Sequence, residues 1–142
     1  MLHIITDLND PLIDLVKDDP VRPAIPLVSR VHKNAEIFVL LSDDREPQAV
    51  TCVSYLAEVP TTETELGKLG DAVAAFYTIW SYTPGAGRTL IQQAQQYLKE
   101  NKQSIKRFVT LSPKTEMAKR FHIKNGAQTL QENTDTVNYE YQ

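Results

Sequence analysis

The stretch from Ala72 to Ser81, AVAAFYTIWS, constrains the fold more than any other part of the chain, because it is almost unbroken in apolar, aromatic and β-branched residues. A strand with one wet face alternates apolar and polar residues, whereas a run without alternation needs cover on both faces. The run therefore predicts a central strand with a layer packed on each side. After it come Tyr82, Thr83 and the turn Pro84-Gly85-Ala86-Gly87, and then Leu90, Ile91, Ala94, Tyr97 and Leu98 at i, i+1, i+4, i+7 and i+8. That spacing draws one apolar stripe along a helix. Strand, glycine turn and helix in this order bring the unpaired N–H groups of a helix start to a place where missing side chains let a ligand approach the backbone. Such a turn suits a phosphate, although the same glycines also make ordinary tight turns.

The rest of the chain supplies the covering layers. Asn9 or Asp10 as a cap, Pro11 and the apolar Leu12, Ile13, Leu15 and Val16 predict a short first helix, and IPLVSRVHK predicts a second before Asn34. AEIFVLL (35–41) and AVTCVSYLAEV (49–59) read as a strand hairpin around the polar SDDREPQ. A polar connection, 60–71, leads into the central run. IKRFVTL (105–111) reads as a strand returning parallel to it through a right-handed crossover. Ser112 as cap and Pro113 in the first turn predict a helix that stops at Asn125-Gly126, and AQTL with TVNYEYQ predicts a terminal antiparallel pair.

At 142 residues, 42% of them hydrophobic, the chain suits one domain with a real core, 1–142. The net charge of −3 gives no overall footprint for nucleic acid, and the basic run Lys99 to Arg107 reads as a solvated helix end. No stretch approaches the roughly 18 apolar residues of a membrane span, the start does not resemble a signal peptide, and the single cysteine, Cys52, fits a reducing compartment. The expectation is a cytoplasmic protein with neither membrane nor nucleic acid as partner. His3, His32, His122 and Cys52 share no ligand spacing, so no metal is expected, and the glycine turn lacks the GK(S/T) ending of a nucleotide-binding P-loop.

The order of elements, with YTPGAGRTLI and AKRFHIKNGA at their spacing, resembles the GNAT superfamily of acyl-CoA-dependent N-acyltransferases. The first block is similar to the family's pyrophosphate loop, (Q/R)xxGx(G/A), and the second to its AxxFYxKxGF signature. Gly85 and Gly87 fall on the small positions of the loop, Tyr82 stands where the family has Gln or Arg, and Arg88 follows as a candidate phosphate partner. In the second block Ala118, Phe121, Lys124 and Gly126 match, whereas His122 replaces a tyrosine, Ala127 a phenylalanine, and Thr115 a preceding asparagine. The resemblance implies an α+β fold, an α/β/α sandwich around a mixed, mostly antiparallel sheet, with a central parallel splayed pair and about four helices.

It also implies a site. Ile79, Trp80 and Ser81 would pair through their backbone with the pantetheine arm of acetyl-CoA, and Tyr82, Thr115 and Phe121 would border it. The amides of Gly85, Ala86, Gly87 and Arg88 would hold the diphosphate, since Pro84 has no N–H. Direct transfer to a primary amine needs a base for the acceptor and a proton source for the thiolate. Glu58, placed at the end of the third strand, is the expected base, and His122 the expected donor or hydrogen-bonding partner of the sulfur. The resemblance leaves room for a homodimer. The departures at Tyr82, Thr115 and His122 also allow a catalytically degenerate module that only binds acyl-CoA or a partner.

Overall fold

A computed structural model describes all 142 residues. In chain order the elements are β1 (Leu2–Ile5), α1 (Leu27–Arg30), β2 (Ala35–Leu41), β3 (Pro47–Leu56), β4 (Val73–Ser81), α2 (Ala86–Asn101), β5 (Arg107–Thr110), β6 (Ser112–Pro113), α3 (Glu116–Lys124), β7 (Gln128–Glu132) and β8 (Thr136–Tyr141), with 3-10 turns at Ile13–Asp18 and Thr64–Gly67. The strands form one sheet in the order β1-β2-β3-β4-β5-β8-β6, with β7 on β8. Every pairing is antiparallel except β4 with β5. The mixed sheet with its parallel centre is the expected architecture.

β4 is buried on both faces, as its unbroken apolar run requires. On one face α2 lays Leu90, Ile91, Ala94 and Leu98 over Phe38, Val53, Tyr55, Ala74 and Phe76. On the other, Ile37, Val39, Val50, Cys52, Tyr77 and Trp80 are covered by Leu12 and Val31 and by Ile13 and Val16 of the first 3-10 turn. No helix is long and apolar enough to cross a membrane.

Two local expectations are corrected, and one strand is added. The first helix is a 3-10 turn, entered through Asp10, whose Oδ1 accepts from the Leu12 N–H at 2.8 Å. Ser112 does not cap α3. Pro113 restricts the residue before it to extended conformations, Ser112 and Pro113 pair with Val137 and Thr136 of β8, and the cap is Thr115, whose Oγ1 accepts from the Ala118 N–H. β1 is an added strand that has no turn linking it to its partner, which lies more than thirty residues along the chain.

Candidate functional site

β4 and β5 run together for only four residues, Val73–Phe76 beside Arg107–Thr110, and the last bond between them is Leu111 N–H to the Phe76 carbonyl at 3.1 Å. The separation has a visible cause on the opposite edge of β4. Against β3, Thr78 pairs with Cys52 but Phe76 with Val53, so Tyr77 is an extra residue, a β-bulge that bends the strand. β5 meanwhile runs on into Ser112–Pro113, which as β6 pair with β8. The strands thus part at residue 77, and β4 continues to Ser81 without a neighbour on that side.

The backbone of that free stretch alternates. Tyr82 N–H donates to Gln48 O at 2.8 Å, and the register carries the same sense to Trp80 and Thr78, so their peptide groups face β3. Those of Ile79 and Ser81 face the gap. Of the three residues expected to pair with an extended ligand, Ile79 and Ser81 therefore turn their peptide groups to the gap, while Trp80 turns its own to β3. A cavity of about 300 Å³ fills the gap, lined by Ile79, Trp80 and Ser81 on one side and Ser112, Phe121 and His122 on the other, with Thr115 at its border.

The glycine turn closes one end. Gly85 adopts φ +80°, a left-handed conformation that suits glycine, and it caps α2. The Ala86 N–H is spent on the Thr83 carbonyl at 3.3 Å, whereas the amides of Gly85, Gly87 and Arg88 make no hydrogen bond within the protein. Three of the four expected donors are thus free at the start of a sixteen-residue helix, where its dipole favours an anion. Gly87 lies so close to Phe121 and Ser81 that a Cβ would collide with both. Arg88 is exposed and forms no ion pair, which leaves its guanidinium available to an anion at the turn. Tyr82 is engaged elsewhere, since its hydroxyl accepts from Trp80 Nε1 at 3.0 Å and donates to Asp18 Oδ2 at 2.7 Å.

His122 lies at the cavity wall, 4% exposed, with Nδ1 2.7 Å from the Tyr141 hydroxyl and its ring stacked on Tyr139. Burial lowers its pKa to about 4, so the ring is neutral at neutral pH. A neutral ring can offer a hydrogen bond but no imidazolium proton. In the tautomer in which Tyr141 donates to Nδ1, Nε2 carries the hydrogen, and no protein acceptor holds it.

Glu58 is not brought to the cavity. Because β3 runs antiparallel to β4, Leu56 pairs with Val73, and the residues beyond it lie at the closed end of the strand pair. Glu58 is exposed there.

The sequence gives no sign of a buried polar group behind the site. Asp19 and Arg30 are 3% and 1% exposed and paired at 2.8 Å. Burial by itself would raise the Asp19 carboxyl, but hydrogen bonds from the Arg22 amide, the Arg30 guanidinium, the Thr78 hydroxyl and the Val21 amide outweigh it and hold the pKa below the ordinary value. Arg30 also donates to the carbonyls of Ile25 and Arg22. The proline-punctuated segment from Asp19 to Arg30 is thereby locked over β4 at the bulge. A pair of opposite charges eleven residues apart carries no periodic signal, so only the fold shows it.

No protein-family profile matches the sequence, and a search of curated proteins finds no match. Solved structures do match. Malonyl-CoA decarboxylase from Agrobacterium vitis is 22% identical over 85% of this chain, which spans only 35% of that chain, with a TM-score of 0.70. The N-acetyltransferase PseH of Campylobacter jejuni is 13% identical over 100% of this chain and 96% of that one, at 0.67. An acetyltransferase of Bacillus subtilis in complex with CoA is 13% identical over 99% and 96%, at 0.68. At these identities the likeness concerns architecture alone. The chain has the fold of these acetyltransferases, the GNAT fold.

Proposed function

We propose that the chain is an acyl-CoA-dependent N-acyltransferase, moving an acetyl group from acetyl-CoA directly to the primary amine of a small-molecule or protein acceptor. The observation that carries this reading is the continuity of two features: a gap faced by the peptide groups of Ile79 and Ser81, ending at three unpaired amides on a helix start. A pantetheine arm needs the first and a diphosphate needs the second. CoA is also common to the malonyl-CoA decarboxylase and the CoA-bound acetyltransferase, although the reactions differ. In this reading Gly85, Gly87 and Arg88 hold the diphosphate, and Ile79 and Ser81 pair with the arm. Thr115 and Phe121 border it, and His122 Nε2–H meets the sulfur. The neutral amine attacks the thioester carbonyl carbon, the C–S bond breaks, and the thiolate takes up a proton as the amine nitrogen gives one up.

Calorimetric titration with CoA, followed by release of free thiol from acetyl-CoA across a panel of amines, tests this. Binding with thiol release that depends on the amine is expected. Absence of CoA binding overturns the reading. A second reading, a module that binds acyl-CoA without turning it over, is favoured by the neutral His122 and by the distance of Glu58 from the cavity. It predicts CoA binding with no thiol release.

A further inference from the structure

The carbonyls of Tyr77 and Leu111 stand where β4 and β5 part company. One step earlier the strands satisfy each other, through Leu111 N–H and the Phe76 carbonyl. Past that step neither strand can serve the other, and Arg22 takes both carbonyls. Its Nε donates to Tyr77 O at 2.9 Å and its Nη2 to Leu111 O at 2.8 Å, while Nη1 donates to Glu63 Oε1 at 3.0 Å. No other side chain hydrogen-bonds to both strands.

Arg22 is itself held firmly. Its amide donates to Asp19 Oδ1, its carbonyl accepts from Arg30 Nη2 at 2.7 Å, and its side chain is only 12% exposed. Its neighbour Val21 lines the apolar cavity, while Arg22 borders a separate polar cleft with Thr61, Glu63, Asn133 and Asp135. The guanidinium therefore sits between the two spaces, at the apex of the gap.

We infer that Arg22 is a positioning residue for the thioester end of the donor, setting the width of the gap by holding the Tyr77 and Leu111 carbonyls at a fixed spacing. A planar guanidinium can do this because it offers parallel donors in a rigid fork. A lysine, as a point charge on a flexible stem, would hold one carbonyl firmly. Glu63 fixes the orientation of the fork by taking its remaining arm. The inference rests on the reading of the cavity as an acyl-CoA site and adds a residue that touches neither the diphosphate turn nor the side chains expected from the family motifs.

The test separates the two ends of the ligand. Wild type, Arg22→Met, Arg22→Lys and Glu63→Gln are titrated with CoA and with 3′-phosphoadenosine 5′-diphosphate, the nucleotide half of CoA without its pantetheine arm. Arg22→Met is expected to weaken CoA about tenfold or more, because the gap loses its fixed width, and to leave the nucleotide half within about twofold. Arg22→Lys falls between, and Glu63→Gln weakens CoA by less than Arg22→Met. Equal loss for both probes would show a brace for the whole fold, and unchanged CoA affinity in Arg22→Met would show no role. Either result overturns the inference. Should Arg22→Met fail to fold, Arg22→Lys and Glu63→Gln carry the same comparison between probes. Wild type binding neither probe overturns the acyl-CoA reading itself. Wild type binding both, with Arg22 variants unaffected, overturns only the role of Arg22.

Discussion

Gly87 faces Phe121 so closely that a Cβ on residue 87 would stand 2.9 Å from Cε1 of the ring, and equally near the hydroxyl oxygen of Ser81. The first turn of α2, the end of β4 and the middle of α3 meet at this one point, which is also where the unpaired amides begin. Any side chain at residue 87 pushes the helix start off the strand and moves those amides. Gly87→Ala is expected to lose about 1 to 3 kcal/mol of stability through overpacking and to weaken CoA in calorimetry. Phe121→Leu in the same chain removes the ring edge and should recover part of both losses. Gly85 differs, because nothing lies within 4 Å of its Cβ direction and only its φ of +80° resists substitution. Gly85→Ala should cost about 1 kcal/mol with no relief from Phe121→Leu.

Asp19 and Arg30 make a second prediction. Each is sealed from water, and each is the other's only opposite charge within hydrogen-bonding reach. Removing one leaves the other buried and uncompensated, a loss of about 3 to 5 kcal/mol in comparable pairs. Asp19→Ala and Arg30→Met are each expected to lower the unfolding free energy from urea titration by that much, and the double variant to lose much less than their sum. Additive losses would mean that the two charges do not stabilise one another.

These two cases also show what the chain discloses about itself. The strand, turn and helix around the glycines can be read directly, because apolar runs, helical periodicity and glycine turns are local properties, and the burial of β4 on both faces follows from its composition. The stop of α3 is legible for the same reason, with Gly126 at φ +101° just past its end. Arg22 is not, since in DDPVRPA it looks like one more surface charge, and its partners Tyr77 and Leu111 are 55 and 89 residues away. Glu58 is misplaced by sequence reasoning because nothing local tells which end of an antiparallel strand meets the gap. β1 escapes it because its four residues acquire strand character only through pairing with β2.

Arg88 offers a test of the anion site that leaves the fold alone. Its side chain is exposed and forms no ion pair or hydrogen bond, so reversing its charge should not lower the melting temperature, and the helix dipole would slightly favour the new carboxylate. Arg88→Glu is expected to weaken CoA by about tenfold at low salt, with the difference from wild type shrinking as ionic strength rises and charges are screened. An unchanged affinity would mean that the backbone amides alone hold the diphosphate.

His122 makes stability depend on pH in a definite direction. Its ring has an ordinary pKa of 6.5 in the unfolded chain and about 4 in the folded one, because burial among Phe121, Tyr139 and Tyr141 opposes the charge. Between those values the unfolded state takes up a proton that the native state refuses, so acid favours unfolding. The contribution of the neutral ring is fully present above pH 6.5 and falls as pH drops, by up to about 1.4 kcal/mol per unit, reaching about 3 kcal/mol near pH 4. His122→Phe keeps an aromatic ring in place and has no proton to gain. It loses the bond to Tyr141 and should be less stable at pH 7.5. Its urea midpoint should nevertheless fall less steeply than that of wild type between pH 6.5 and 4, and the two curves should converge on the acid side. Parallel curves would show that the ring titrates normally in the fold, and that His122 is then able to serve as an imidazolium donor after all.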